Sequence, residues 1–419
     1  MVKKILLARK AGLLMERQRT GILWQRVMAI AAVQVAITLM WIVYRAYLGQ
    51  LLGGWGFSEA FTAQILMIEV VLALAMEPIF GVLSDRQQRF LGSRLPLIVL
   101  GVILSAVIFI GLPVLGLWQL SWRWLLPTVA IAWALAMTIF RAPIYVLLLK
   151  STPNQAELPL ALSVLTMVIG VMGVLRPTLQ NLLLAWGPLP AFMAGSVTLV
   201  AASFCLGLCL PQQPTAPVTE KSSPPNAFPG GGFSKTIAMA IAITWGGSLL
   251  LSQWLQRFGT IVLGGGLTGA MGLNLLLALL AIPVGWLTLR WRRYPLLAIA
   301  FGWLTVIFLV LLGAPPQDAG YVVVACLWAW AFGTVRNGTL PYIFSTMQED
   351  WAGLGVGVFF GVAGVADLAL SQWLSDIVLP VRNLIGLVCL LIGLGLALMP
   401  GQENQAQILS SDEVQEPLK

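Results

Sequence analysis

The chain has no histidine, and charged residues make up only 10% of its 419 positions. Without histidine the commonest proton-shuttling side chain is missing, histidine-based triads are excluded, and so are most zinc enzymes. A soluble domain of this length carries about 25% charged residues. A chain that is 59% hydrophobic cannot be a large soluble core of the ordinary kind. Cysteine is scarce as well. Cys205, Cys209, Cys326 and Cys389 all sit in apolar runs, with no spacing for a disulfide framework or a metal cluster. No G-x-x-x-x-G-K-[ST] loop occurs, which argues against a primary pump. No nucleophile–base constellation is visible, so an enzyme is not expected, and neither is a cofactor or a metal.

What the chain has instead is repetition of apolar runs of about 20 residues, the length that crosses a bilayer as a helix. They fall at 25–48, 59–82, 95–117, 122–148, 158–184, 188–210, 235–257, 263–289, 294–314, 320–345, 352–378 and 380–400. The expected fold is an all-α membrane protein of twelve transmembrane helices. The Pro-, Ser- and Gly-rich segment from Pro211 to Gly232 divides them six and six and reads as a linker. The expected organisation is a basic segment over 1–24, a six-helix bundle over 25–210, a linker over 211–234, a second bundle over 235–400 and a polar, acidic tail over 401–419. The basic segment reads either as an amphipathic stretch on the membrane surface or as a basic tail.

The net charge of +8 does not point to nucleic acid here, because basic residues of a membrane protein collect on cytoplasmic loops. One side receives the N-terminal cluster, Arg86, Arg89, Arg94, Lys150, Lys221, Lys235, Arg290, Arg292 and Arg293. The other receives Arg123 and Arg382, with Arg45 and Arg257 read as helix-end residues. The first side is therefore expected to be cytoplasmic, with both termini and the linker, in a bacterial inner or plasma membrane or a thylakoid. The halves also echo each other. G-V-L-S-D-R from Gly81 is matched by G-W-L-T-L-R from Gly285, and Arg141 and Pro143 by Arg336 and Pro341. Such echoes argue for two parallel six-helix repeats.

The densest polar stretch is E-P-I-F-G-V-L-S-D-R-Q-Q-R-F-L-G-S-R-L-P, from Glu77 to Pro96. Gly81 permits close helix approach. Asp85 can accept hydrogen bonds or pair with an arginine. Together with Arg86, Arg89 and Arg94 it reads as a polar latch, made in one packing of the halves and broken in another. The pattern formed by Gly81, Asp85, Arg86, Gly92, Arg94 and Pro96 resembles the loop signature of the major facilitator superfamily. Within it, the stretch resembles the sugar:cation symporter group (glycoside–pentoside–hexuronide and sucrose transporters) and the related bacteriochlorophyll-delivery family. The resemblance implies alternating access by two bundles, a central cavity lined by the first, fourth, seventh and tenth helices, and a small solute as partner; protons are a further candidate partner, through Glu69. The alternative it implies is a membrane assembly or delivery factor for chlorophyll-type pigment or its proteins.

Two departures stand out. Symporters of that group carry two acids at the end of the second helix, where this chain has Ala73 and Glu77; and where some carry an acid on the fourth helix, this chain has Arg141. A sodium site is not expected from that set, and a Glu77–Arg141 pair is. Glu69, eight residues before Glu77, shares a broad helix face with it. Glu69 is read either as the protonatable coupling group or as a structural partner of Arg176. In the second half, Arg336 and Asp367 are the intramembrane charges. Arg141 and Arg336 are expected to face each other across the cavity and suit an anionic or polyol solute; alternatively Arg336 pairs with Asp367, Glu349 or Asp350.

Overall fold

The computed structural model describes residues 22–118, 122–210, 228–261, 269–291, 293–313, 319–347, 349–372 and 377–399. Twelve long helices fill them: α1 Trp24–Gly54, α2 Glu59–Leu91, α3 Leu95–Trp118, α4 Leu125–Ser151, α5 Leu158–Trp186, α6 Pro188–Cys209, α7 Gly230–Ile261, α8 Gly269–Arg290, α9 Arg293–Gly313, α10 Ala319–Met347, α11 Ala352–Gln372 and α12 Leu379–Leu398. Ten of the helices are long and apolar enough to cross a membrane. The protein is an integral, multi-pass membrane protein.

The helix ends follow local chemistry. Ser58 caps α2 by accepting the Phe61 N–H at 3.2 Å, and Gly92 ends the same helix with φ +68°, a conformation that suits glycine. Pro188 and Pro380 open α6 and α12 where an N–H would have no helical partner anyway. Prolines also stand inside helices, at Pro78, Pro113, Pro143, Pro177, Pro283 and Pro341. Transmembrane helices tolerate them when neighbours take up the freed carbonyls.

Several boundaries differ from the expected ones. Helix α2 does not stop at 82 but runs through Asp85 and Arg89 to Leu91, so most of the polar stretch is helical and only Gly92–Arg94 forms the turn. Within the helix Asp85 finds its partners on Arg94 and on the first turn of α11. Helix α1 continues to Gly54, which puts Arg45 well inside it rather than at its end. The expected linker span overlaps α7, which already begins at Gly230. Residues 1–21, 211–227 and 400–419 lie outside the described part, and with them most of the basic segment, linker and tail.

Two buried clusters form the interior. The larger joins α1 to α6 and extends to Leu340, Ile343, Phe344 and Met347 of α10 and to Val356 of α11. The smaller joins residues of α7 to α10 and α12. The most extensive contacts between the first six helices and the last six run along α2 with α11 and α5 with α8. Glycine makes both seams close. A Cβ on Gly81 would overlap the backbone of Gly353, and one on Gly357 the carbonyl of Glu77. On the other seam, a Cβ on Gly285 would strike Ser163, and one on Gly170 the backbone of Asn274. The sequence echo between Gly81 and Gly285 thus has a physical basis: each places a helix of its own half against the other half.

Candidate functional site

The α2–α11 seam is tightest at the α2–α3 turn. There Asp85 is buried and joins three elements. Its Oδ1 lies 2.8 Å from Arg94 Nη1 and accepts the Gly353 N–H at 3.0 Å. Its Oδ2 accepts the Leu354 N–H at 3.0 Å. These two N–H groups belong to the first turn of α11, so Asp85 caps a helix of the opposite half and meets the positive end of its dipole. Arg94, also buried, donates to Ser84 Oγ at 2.9 Å. Arg89 stands 5.8 Å from the Trp351 ring, and Arg86 is exposed. Gly92 supplies the left-handed turn, braced by Gln88 donating to its carbonyl at 2.7 Å. Pro96 sits in the first turn of α3.

Away from that turn α2 and α11 separate. A Cβ on Gly361 would meet Leu74 and Ala73 backbone at 3.1–3.3 Å, whereas one on Gly364 would meet only the Val70 side chain, at 3.7 Å. The Leu74 carbonyl is the one that Pro78 leaves without a helical donor, and it faces Gly361. Above this point a cavity of about 470 Å³ opens between α1, α2, α4 and α11. Its polar lining is Arg45, Glu69, Glu77, Thr138, Arg141 and Asp367.

Glu77 and Arg141 meet on the cavity floor. Arg141 Nη1 donates to Glu77 Oε1 at 3.1 Å; the glutamate is 1% exposed and the arginine side chain 36%. Glu77 Oε2 is buried without a partner among the described residues. The guanidinium also lies 4.2 Å from the Phe360 ring of α11, so Arg141 touches the opposite half through a cation–π contact. Glu69 is buried too, and its partner is the Tyr44 hydroxyl of α1, which donates to Oε1. Arg45 lies within electrostatic reach of it. Arg176, the expected alternative partner of Glu69, is instead exposed on α5.

The second-half residues are arranged differently from expectation. Asp367 lines the cavity and is exposed there, with no ion pair to any described residue. Arg336 does not line the cavity. It makes no ion pair with Asp367 or Asp350; its guanidinium lies 5.8 Å from Phe332 and within reach of Tyr145. Tyr145 in turn donates to Gln34 Oε1 at 3.0 Å and packs 4.7 Å from Phe360. The two arginines do not face each other across the cavity, which Arg141 lines and Arg336 does not.

Three participants escaped the sequence reading. Arg45 reads from the sequence as a helix-end residue, whereas α1 continues beyond it to Gly54. Tyr44 and Tyr145 carry no charge, and a tyrosine is compatible with any apolar helix. The spacing of Trp41 and Arg45, four apart on one helix with the guanidinium 5.8 Å from the ring, was the available signal.

The sequence model of the Major Facilitator Superfamily matches residues 27–369. No curated protein matches the chain. Among solved structures, it is similar to a Major Facilitator Superfamily transporter, FucP, in the outward conformation, with a TM-score of 0.63 at 11% identity over 88% of this chain and 97% of that one. It is also similar to a bacterial homologue of the iron transporter ferroportin in an outward-facing state, with a TM-score of 0.66 at 14% identity over 90% of this chain and 98% of that one. At such identities the likeness concerns the fold. With its twelve helices and a family match over most of its length, the chain belongs to the Major Facilitator Superfamily.

Proposed function

We propose that the protein is a secondary active or facilitative carrier of a small solute, working by rocking of its two halves around the cavity. The observation that carries this reading is the position of the cavity. It lies between helices of both halves, with a floor sealed by the α2–α11 seam and by Asp85, so that opening one end and closing the other exchanges access. Superfamily membership supports membrane solute transport in general. The structural neighbours are described as outward-facing, which supports reading the sealed end as the inner one. The basic residues around the α2–α3 turn support placing that end, with both termini, in the cytoplasm. Within the superfamily, the stretch from Glu77 to Pro96 supports kinship with the sugar:cation symporter group.

In this reading Glu69 is the proton-coupling acid and Glu77–Arg141 the polar floor that the solute meets. Sodium coupling is not part of it, because the floor acid already has an arginine.

The test uses Ala73, which lines the cavity, as a reporter. A73C in a background without the four native cysteines is labelled by a membrane-impermeant thiol reagent from each side of oriented vesicles. A carrier is labelled from both sides, more slowly from the α2–α3 side. Labelling from one side only sinks the reading.

A further inference from the structure

The charges lining the cavity are not equivalent in what remains open to a solute. Glu77 is buried and bonded to Arg141, and Glu69 is buried and bonded to Tyr44. Neither carboxylate has a free face toward the cavity comparable to that of Asp367, which is exposed on the opposite half and makes no ion pair with a described residue. Arg141 is the counterpart on the floor. A guanidinium has five N–H donors. Among the described residues Arg141 forms a single hydrogen bond, to Glu77, and its side chain is 36% exposed. Arg45, on the first-half wall at the level of Glu69, is exposed and lies 5.8 Å from the Trp41 ring, so it is a second cation but not one on the floor.

The register of α11 sets the distance. Arg141 packs on Phe360, and Asp367 follows seven residues later on the same helix. Seven residues rise about 10 Å. An open anion-binding group therefore lies at the floor and the open acid about two turns above it, nearer the mouth. Asp367 is a single carboxylate, and among the described residues no group of three metal-ligating side chains exists. A hydrogen-bonding organic cation suits it better than a metal ion, which takes several oxygens. Trp41, Met67 and Leu368 supply apolar wall between the charges.

We infer that the cavity accepts an elongated amphoteric solute, with its anionic group on Arg141 and its cationic group toward Asp367. This deepens the carrier reading and rests on it. A solute with both charges on one carbon cannot span the two positions, whereas one with charges at opposite ends of a flexible chain can.

The experiment measures binding of four probes to the purified full-length protein by calorimetry: 6-aminohexanoate, hexanoate, hexylamine and glycine. The expected result is that 6-aminohexanoate binds about tenfold more tightly than hexanoate or hexylamine, as one extra charge-assisted hydrogen bond in a sheltered site allows. Glycine gains no such advantage. D367N, whose melting temperature without ligand should match the wild type, removes the advantage and leaves hexanoate binding unchanged. Equal affinities for 6-aminohexanoate and hexanoate, an advantage that survives D367N, or no binding of any probe overturns the inference. The A73C labelling separates it from the parent reading. Two-sided labelling without this selectivity defeats the inference alone, and one-sided labelling defeats the carrier reading whatever binds.

Discussion

One oxygen of Glu77 accepts from Arg141 and the other is buried with no partner among the described residues, while the arginine reaches into the cavity. The two members of the pair are therefore not equally replaceable. In R141Q the glutamate stays in a dry site with no cation. Breaking a fully buried pair this way costs about 3–5 kcal/mol, and the part-exposure of Arg141 lowers that figure. In E77Q the guanidinium keeps Phe360 and can turn to cavity water. We expect the melting temperature in detergent to fall more for R141Q than for E77Q, and the double variant E77Q/R141Q to lie above R141Q. A double variant no more stable than the worse single one would rule out the pair. This contact was legible in the sequence, because an acid and a base standing in apolar runs have few ways to be tolerated. The Tyr44–Glu69 bond was not. A tyrosine fits any apolar helix, and nothing in the sequence tells which face of α1 turns toward α2.

At the scale of the helix, the α2–α11 seam depends on residues with no side chain. The stripe G-V-G-V-F-F-G-V-A-G from Gly355 was legible as a packing surface, since small residues let membrane helices approach. Its partner was not legible, because glycine carries no chemical mark of what it faces. An alanine in place of a helical glycine gains about 0.5–1 kcal/mol of intrinsic helix stability. At Gly81 and Gly357 the new Cβ would run into backbone of the other half, so the gain is outweighed and the halves must part. G81A and G357A should therefore increase labelling of A73C from the α2–α3 side. D85A should act in the same direction by a separate route. It leaves the Gly353 and Leu354 N–H groups without their acceptor and Arg94 without its carboxylate. Loss of a cap alone costs about 0.5–2 kcal/mol, which is enough to move a two-state equilibrium several-fold. D85N retains one acceptor oxygen and should fall between D85A and the wild type. Unchanged labelling in G81A and D85A would show that this seam does not set the resting state.

For the whole molecule, the twelve-helix plan and the relation of the halves were readable from run lengths and echoes, because the bilayer imposes the first and the repeat imposes the second. The direction in which the cavity opens was not readable, since either packing uses the same sequence. What selects between packings must be a group whose state differs between them, and Glu69 is placed for that. It joins α1 to α2 through Tyr44 on the cavity wall, toward the end where α2 and α11 diverge. Protonation removes its charge and turns its carboxyl from a pure acceptor into a group that can also donate. Glutamine imitates the protonated state. If Glu69 couples protons to rocking, the two-sided labelling ratio of A73C in the wild type changes with pH, and E69Q loses that dependence and holds the low-pH ratio throughout. E77Q should keep the dependence, because its acid is engaged by Arg141 in a different layer of the cavity. Y44F, which removes the hydroxyl that donates to Glu69, should shift the pH at which the ratio changes while preserving its two limits. A labelling ratio that follows pH equally in E69Q and the wild type would assign the coupling to another group.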